Sequence, residues 1–442
     1  MMRRFWAMLI ISIGVYLCLW IPQNPSLLSV DGHDGLSATP TAQAQIEDPG
    51  QSNGAASEVS PTTDATAQIN AGLAAAATAE QQAVTARTAD DWDQVVMGWL
   101  TAIGHMQAIT ANQPQRMYAQ SKGAEYTRSL TQAQTQASRL GIPTVFPTLG
   151  SSILDQQLVN YLSYIAAMGV PDTLIVGSSR ALWGVDPQAL EQALAGAGYD
   201  NLRVYNLGVN GATAQAVNFF LQQLLTTEQL PRLILWAGGS RGFNSARRDT
   251  TFASVLNSLG HQSLEQGDRP SFDLPNTRQF LRNTQSMVEL SANGFLVKEN
   301  RFDPATYYQQ FPRVAGRYDD TYVPFQLVGE QTEALEELAA FTRSRNIPLV
   351  FVNLPLTDDY LDETRNPIER QFQQYLNQQS QAAGFGLIDY LNQWPNQYGY
   401  FADPSHLNRY GAEALARALA GDYRVPWASL QQQSLIAPQP TE

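Results

Sequence analysis

Four short blocks of this 442-residue chain carry side chains able to do chemistry. The first reads Gly177-Ser178-Ser179-Arg180, and the second Asn206-Leu-Gly208-Val-Asn210-Gly211. The third reads Gly238-Gly239-Ser240-Arg241-Gly242-Phe243-Asn244, and the last Asp403-Pro404-Ser405-His406. Together they hold what acyl transfer requires: a serine hydroxyl, glycines whose backbone N–H groups can face an oxyanion, and a histidine with a carboxylate three residues away. An imidazole acts as a general base once a carboxylate orients it and stabilises its charged form. The chain has only four histidines, so one placed beside an aspartate is informative. Taken singly the blocks also have plainer readings. Gly-Ser-Ser after a strand is a turn with a helix cap, and Asp-Pro-Ser-His is a helix-opening turn with a surface histidine.

The elements around these blocks predict where they sit. Apolar runs of β type occur at Thr173–Val176, Arg203–Asn206, Leu233–Trp236, Leu349–Asn353 and Gly386–Ile388. Helical stretches at Pro187–Ala195, Ala214–Thr226, Gln331–Ser344 and Pro367–Ala383 separate several of them. Strands alternating with helices indicate an α/β fold with a central parallel sheet covered on both faces. In such sheets sites form at the carboxyl ends of the strands, where the first three blocks fall.

In this order the four blocks resemble the SGNH (GDSL-like) hydrolase superfamily, across roughly residues 170–420. The resemblance implies a flavodoxin-like three-layer fold with Ser179 as nucleophile, His406 as base and Asp403 as its partner. It implies Gly211 as a backbone oxyanion donor. The family's side-chain donor is an asparagine of the third block, and here either Ser240 or Asn244 takes that place, with Asn244 favoured. Ser178 stands where the family has an acidic residue; a Gly-Ser-Ser version also occurs in its membrane-anchored D-alanyl-transfer branch. No metal or other cofactor is implied, and the chain has no nucleotide-binding glycine loop. Arg180 and Arg247 are candidate contacts to an anionic substrate; the alternative for Arg180 is a salt-bridge role.

Residues 245–325 depart from a minimal core of this kind. Arg247-Arg248, Tyr307, Tyr308, Phe311, Tyr318 and Tyr322 lie there among polar residues. They suit either a small apolar cluster of their own or a lid or acceptor groove, with tyrosine faces against sugar rings.

Composition narrows the class. A net charge of -13 argues against nucleic acid. The single cysteine, Cys18, excludes intrachain disulfides and thiolate metal sites. After Arg3-Arg4, residues Phe5–Ile21 form an uncharged apolar run, about 25 Å long as a helix. No Lys or Arg follows until Arg87, so the positive-inside rule predicts an anchored chain with the remainder on the extracytoplasmic (periplasmic) side. A cleaved signal peptide is the competing reading. The predicted organisation is an anchor over 1–22, a disordered linker over 23–64, a helical hairpin over 65–145, the catalytic domain over 146–425 and a tail over 426–442.

The sequence therefore predicts an exported serine esterase or O-acyltransferase working through an acyl-enzyme. Its substrate would be an acyl ester or an acylated cell-surface polysaccharide. The layout is similar to polysaccharide O-acetylation and D-alanylation proteins, which implies a multispanning acyl-transfer partner. The rival is a non-catalytic binding or assembly protein of the cell envelope on the same fold.

Overall fold

The computed structural model describes residues 61–109, 113–139, 142–144, 146–271, 281–283 and 288–436. The expected anchor, with Cys18, and most of the expected linker lie outside the described residues. Among the described residues no helix is long and apolar enough to cross a membrane.

Nine strands are described: β1 Ile142–Thr144, β2 Thr173–Gly177, β3 Val204–Gly208, β4 Leu233–Gly238, β5 Leu281–Asn283, β6 Leu349–Asn353, β7 Gly386–Asp389, β8 Phe401–Asp403 and β9 His406–Leu407. Five of them form a sheet in the order β3-β2-β4-β6-β7, every pair parallel. This is the flavodoxin-like order, which begins near one edge, reverses once and then proceeds outward. β2, β3, β4 and β6 are buried throughout because helices cover both faces, which explains their continuous apolar runs.

The two faces divide the core by strand parity. Leu174, Val176, Ile234, Trp236 and Phe351 pack in one core, with helices Ser152–Met168, Glu330–Ser344 and Arg365–Ala383 contributing Leu158, Leu335 and Phe372. Ile175, Leu235, Ala237, Val350 and Val352 pack in the other, with Leu190 and Leu415 from helices Pro187–Gly196 and Arg409–Ala420. The period-two alternation of side chains along each strand produces this three-layer arrangement.

Three differences from the sequence reading stand out. The expected hairpin is a set of three helices, Pro61–Thr85, Ala89–Gln107 and Arg116–Arg139. The first is alanine-rich and packs by small residues: a Cβ on Gly98 would lie 2.8 Å from the Ala79 Cβ. The expected capping box closes between Thr88 and Asp91, and it starts the second of the three helices. The helix expected over Ala214–Thr226 is α-helical only to Phe219 and continues as a π turn over Phe220–Leu224. The expected tail begins instead with a helix, Trp427–Ile436. Trp427 is buried in the second core and donates its indole N–H to Leu419 O at 2.9 Å, so the segment docks.

Candidate active site

The Gly-Ser-Ser block follows β2, and its backbone explains its residue types. Gly177 has φ +141°, and a Cβ there would run into the Ala237 carbonyl of the neighbouring strand. Only glycine fits that close approach. Ser178 then caps the short helix Ser179–Gly184, its Oγ accepting from Arg180 N–H at 3.4 Å. The departure from an acidic residue at Ser178 therefore leaves a working N-cap. Asn206 is fully buried on β3 and donates its amide to Ala181 O (2.8 Å) and Val185 O (2.9 Å), tying this helix to the sheet. A Cβ on Gly208 would sit 2.6 Å from Leu182 N, so β3 and the helix are in backbone contact at that point.

The Asp-Pro-Ser-His block forms a tight hairpin between β8 and β9, with Asp403 directly opposite His406. The helix after it starts later than expected, at Arg409, capped by Asn408 Oδ1 to the N–H groups of Tyr410 and Gly411. The hairpin turn is held to the core by Thr357, whose hydroxyl donates to Pro404 O at 2.8 Å.

These two elements meet across the sheet end. Ser179 Oγ lies 2.9 Å from His406 Nε2, and His406 Nδ1 lies 2.8 Å from Asp403 Oδ2. An ionised carboxylate only accepts, so Nδ1 carries the proton and Nε2 is left to accept from the serine hydroxyl. Asp403 Oδ1 also accepts from Ser405 N–H at 2.8 Å, which fixes the carboxylate. Burial would raise the Asp403 carboxyl, but the His406 hydrogen bond and charge, with Ser405 N–H and Arg241, hold it below the usual aspartate range. Burial lowers His406 below the ordinary imidazole value of 6.5; Asp403 opposes this, while Arg241 and Arg180 add to it. The imidazole is therefore neutral at neutral pH, the state a general base needs. Trp183 covers the imidazole at 4.4 Å between ring centroids, and Lys298 Nζ sits 4.4 Å above the Trp183 ring.

Gly211 adopts φ +75°, where a side chain would meet Thr251 Oγ1 at 2.5 Å. It lines the same small pocket as Ser179. Among the described residues the Ser179 and Gly211 N–H groups have no protein partner, as oxyanion donors require.

The expected side-chain donors are placed otherwise. Asn244 is buried and gives both amide hydrogens away, to Thr321 O (3.1 Å) and Pro324 O (2.8 Å), while its Oδ1 accepts from Gln326 N–H. Ser240 is fully buried with its Oγ on Glu369 Oε1 at 2.5 Å, and the same carboxylate oxygen accepts from the Tyr322 hydroxyl. Neither lines the pocket at Ser179; Arg241, which lies between them in the block, does. Arg180 serves the fold, donating to Leu354 O (2.6 Å) and Pro355 O (3.0 Å) from a buried position that still forms part of the pocket wall. Arg247 lines the pocket as a half-buried side chain. Sequence reasoning missed Arg241, Trp183 and Thr321. Arg241 stood in the same glycine-rich block, and Trp183 lies four residues after the serine on its helix, so their signals were present. Thr321 arrives from the inserted segment and had none.

That segment contributes a second, larger cavity of about 670 Å³. Tyr307, Tyr308 and Tyr318 line it together with Asp403, Ser405 and Arg241. Tyr322, by contrast, is buried against Glu369 and belongs to the core.

No family model matches the sequence, and no curated protein matches it. Solved structures similar to the chain include an Axe2 variant, an acetylxylan esterase from Geobacillus stearothermophilus, at 13% identity and TM-score 0.31, over 57% of this chain and 95% of that one. Another is the SGNH-hydrolase family esterase AlinE4, at 17% identity and TM-score 0.27, over 57% and 95%. A lipase from a goat rumen metagenome matches at 12% identity and TM-score 0.34, over 57% and 98%. The solved structures to which this chain is similar thus include SGNH and GDSL hydrolases and esterases, while the parallel α/β sheet stands on the strand order and register described above.

Proposed function

We propose that the chain is a serine esterase of the SGNH type that works through an acyl-enzyme. The observation that carries this reading is the continuous relay from Ser179 Oγ through His406 to Asp403. Ser179 Oγ attacks the ester carbonyl and gives its proton to His406 Nε2. The carbonyl oxygen becomes an oxyanion facing the N–H groups of Ser179 and Gly211. The C–O bond to the alcohol then breaks, and His406 returns the proton to the leaving oxygen. In the second half-reaction water or another hydroxyl compound attacks the acyl-serine and gives its proton to His406. The bond from the acyl carbon to Ser179 Oγ breaks, and His406 returns the proton to Ser179 Oγ. Asp403 keeps the imidazole oriented and stabilises its charged form throughout.

Fluorophosphonate labelling tests this directly. Labelling of the wild type and none of Ser179→Ala is the expected result. A folded wild-type protein that resists the reagent would overturn it in favour of a non-catalytic role.

The finer reading is transfer of the acyl group to a hydroxyl of a cell-surface polysaccharide. The tyrosine-lined cavity that shares Arg241 with the serine pocket supports it, since it offers room for an acceptor next to the triad. Offering an acyl ester with and without polysaccharide separates the two outcomes. Free acid released at a rate and yield indifferent to acceptor would exclude the transferase. Anchoring through Phe5–Ile21, an extracytoplasmic site and a multispanning acyl-transfer partner complete the proposal, supported by the apolar run after Arg3-Arg4 and by the resemblance alone. Carbonate-resistant membrane association that disappears on deleting residues 1–22 would support the anchor, and free solubility of the full chain would exclude it.

A further inference from the structure

The pocket beside Ser179 has an unusual wall for a chain with 40 acidic residues and 27 basic ones. Arg180, Arg241 and Arg247 all line it, and the remaining lining is glycine, alanine, serine and threonine. Among the described residues none of these three guanidinium groups forms an ion pair with a carboxylate. Arginines elsewhere do: Arg232 meets Asp172, Arg313 meets Asp359, and Arg365 meets Asp319 and Asp362.

Their existing bonds are few. Arg241 donates from Nη2 to Ser405 Oγ at 3.3 Å and lies over the Tyr360 ring at 5.7 Å. Arg247 donates from Nη1 to Arg241 O at 3.3 Å. A guanidinium has five donors, so both retain several for a ligand. Asp403 and Asp319 offset Arg241, and Glu369 offsets Arg180, only from a distance. Holding like charges together in a partly buried site with no carboxylate in direct contact is costly, and an anion entering it relieves that cost. The crowding is visible at Arg180, which burial, with the neighbouring Arg241 charge adding, pushes down to about 10.

The anion belongs to the acyl side of the substrate. The small pocket holds the serine and its oxyanion donors, has a volume of about 90 Å³ and offers no large apolar side chain to a fatty chain. The larger cavity has the opposite charge: Asp319, Asp320, Asp359, Asp362 and Asp403 line it against Arg241, Arg313 and Arg365. It repels a second anion and suits an uncharged or cationic alcohol.

We propose that the pocket at Ser179 is an anion-binding acyl subsite for a short acyl group bearing a carboxylate, held by Arg241 and Arg247. This rests on Ser179 being the nucleophile proposed above. A planar carboxylate matches the guanidinium fork and gains charge-assisted hydrogen bonds there.

The test compares 4-nitrophenyl hemisuccinate with 4-nitrophenyl butyrate, esters of equal chain length that differ in the terminal carboxylate. Wild type is expected to favour the hemisuccinate in kcat/KM by at least about tenfold, with the preference shrinking in high salt. Arg247→Gln and Arg241→Gln should collapse that ratio toward unity, and Arg241→Lys should retain part of it. Equal use of the two esters by wild type overturns the proposal. So does an equal loss on both esters in the arginine variants, which would assign them to the oxyanion. Calorimetric titration with free succinate separates this proposal from the esterase reading, because it needs no turnover. Succinate binding to wild type and Ser179→Ala, lost in Arg247→Gln, supports the subsite even if no ester is cleaved. Absence of binding to a folded wild-type protein counts against it even if butyrate is cleaved.

Discussion

Ser179 Oγ and His406 Nε2 stand 2.9 Å apart across 227 residues of sequence. The parallel sheet brings this about by ending β2 beneath the hairpin of β8 and β9. A serine hydroxyl at that distance from an imidazole already oriented by a carboxylate needs no rearrangement before it reacts.

His406→Ala should therefore lower kcat on a short ester by about 10²–10⁴, and Asp403→Asn by about 10⁴. Both proteins should keep the wild-type circular dichroism spectrum, since both side chains sit at the rim of the fold. Ester turnover measured at saturating substrate checks this; wild-type kcat in either variant would remove the residue from the mechanism.

The pH profile follows from the direction of the His406 shift. Burial and the charges of Arg241 and Arg180 lower its pKa, and Asp403 opposes them. The acidic limb of kcat/KM should accordingly fall below pH 6.5 in the wild type. Removing a neighbouring cation makes the imidazolium easier to form, so Arg241→Gln should move that limb to higher pH. A limb that stays in place would show that Arg241 does not act on the imidazole.

Gly211→Ala places a methyl group where φ is +75° and Thr251 Oγ1 is 2.5 Å away. The left-handed conformation costs roughly 1–2 kcal/mol for an L side chain. The shifted backbone N–H should lower kcat by up to about 10²–10³, the usual effect of losing one oxyanion donor. Thermal denaturation and turnover, measured together, separate the two effects; unchanged kcat would exclude Gly211 as a donor.

Asn244→Ala should behave differently. The side chain donates to Thr321 O and Pro324 O and accepts from Ala246 and Gln326 N–H, so its loss removes hydrogen bonds worth roughly 0.5–1.5 kcal/mol each. The melting temperature should fall while kcat on a small ester falls by much less than an oxyanion donor would require. The reverse pattern, with a stable protein and kcat down by about 10²–10³, would return Asn244 to the oxyanion.

Local signals in the sequence carried much of this. All five core strands and the helices between several of them were readable, because a doubly covered parallel sheet demands continuous apolar runs and its crossovers demand helical spacing. The residues of the triad relay were readable as well: glycine, serine, histidine and aspartate each announce a backbone or proton-transfer need that few other side chains meet. The C-terminal helix escaped because Trp427 reveals its burial only through Leu419 and the rest of the second core.

The third block marks the boundary most clearly. Its composition determined that a polar group would reach the site from the end of β4, but not which one. Tertiary structure decided that, because Ser240–Phe243 forms a 3₁₀ turn that rotates successive side chains by about 120°. Glu369 and Tyr322 draw Ser240 inward, the inserted loop claims Asn244, and Arg241 is left facing the serine pocket. The charge of that pocket had the same origin. Arg180, next to Ser179, and Arg247 were candidates in the sequence, but only the packing of β2 against β4 adds Arg241 and gathers all three guanidinium groups around Ser179.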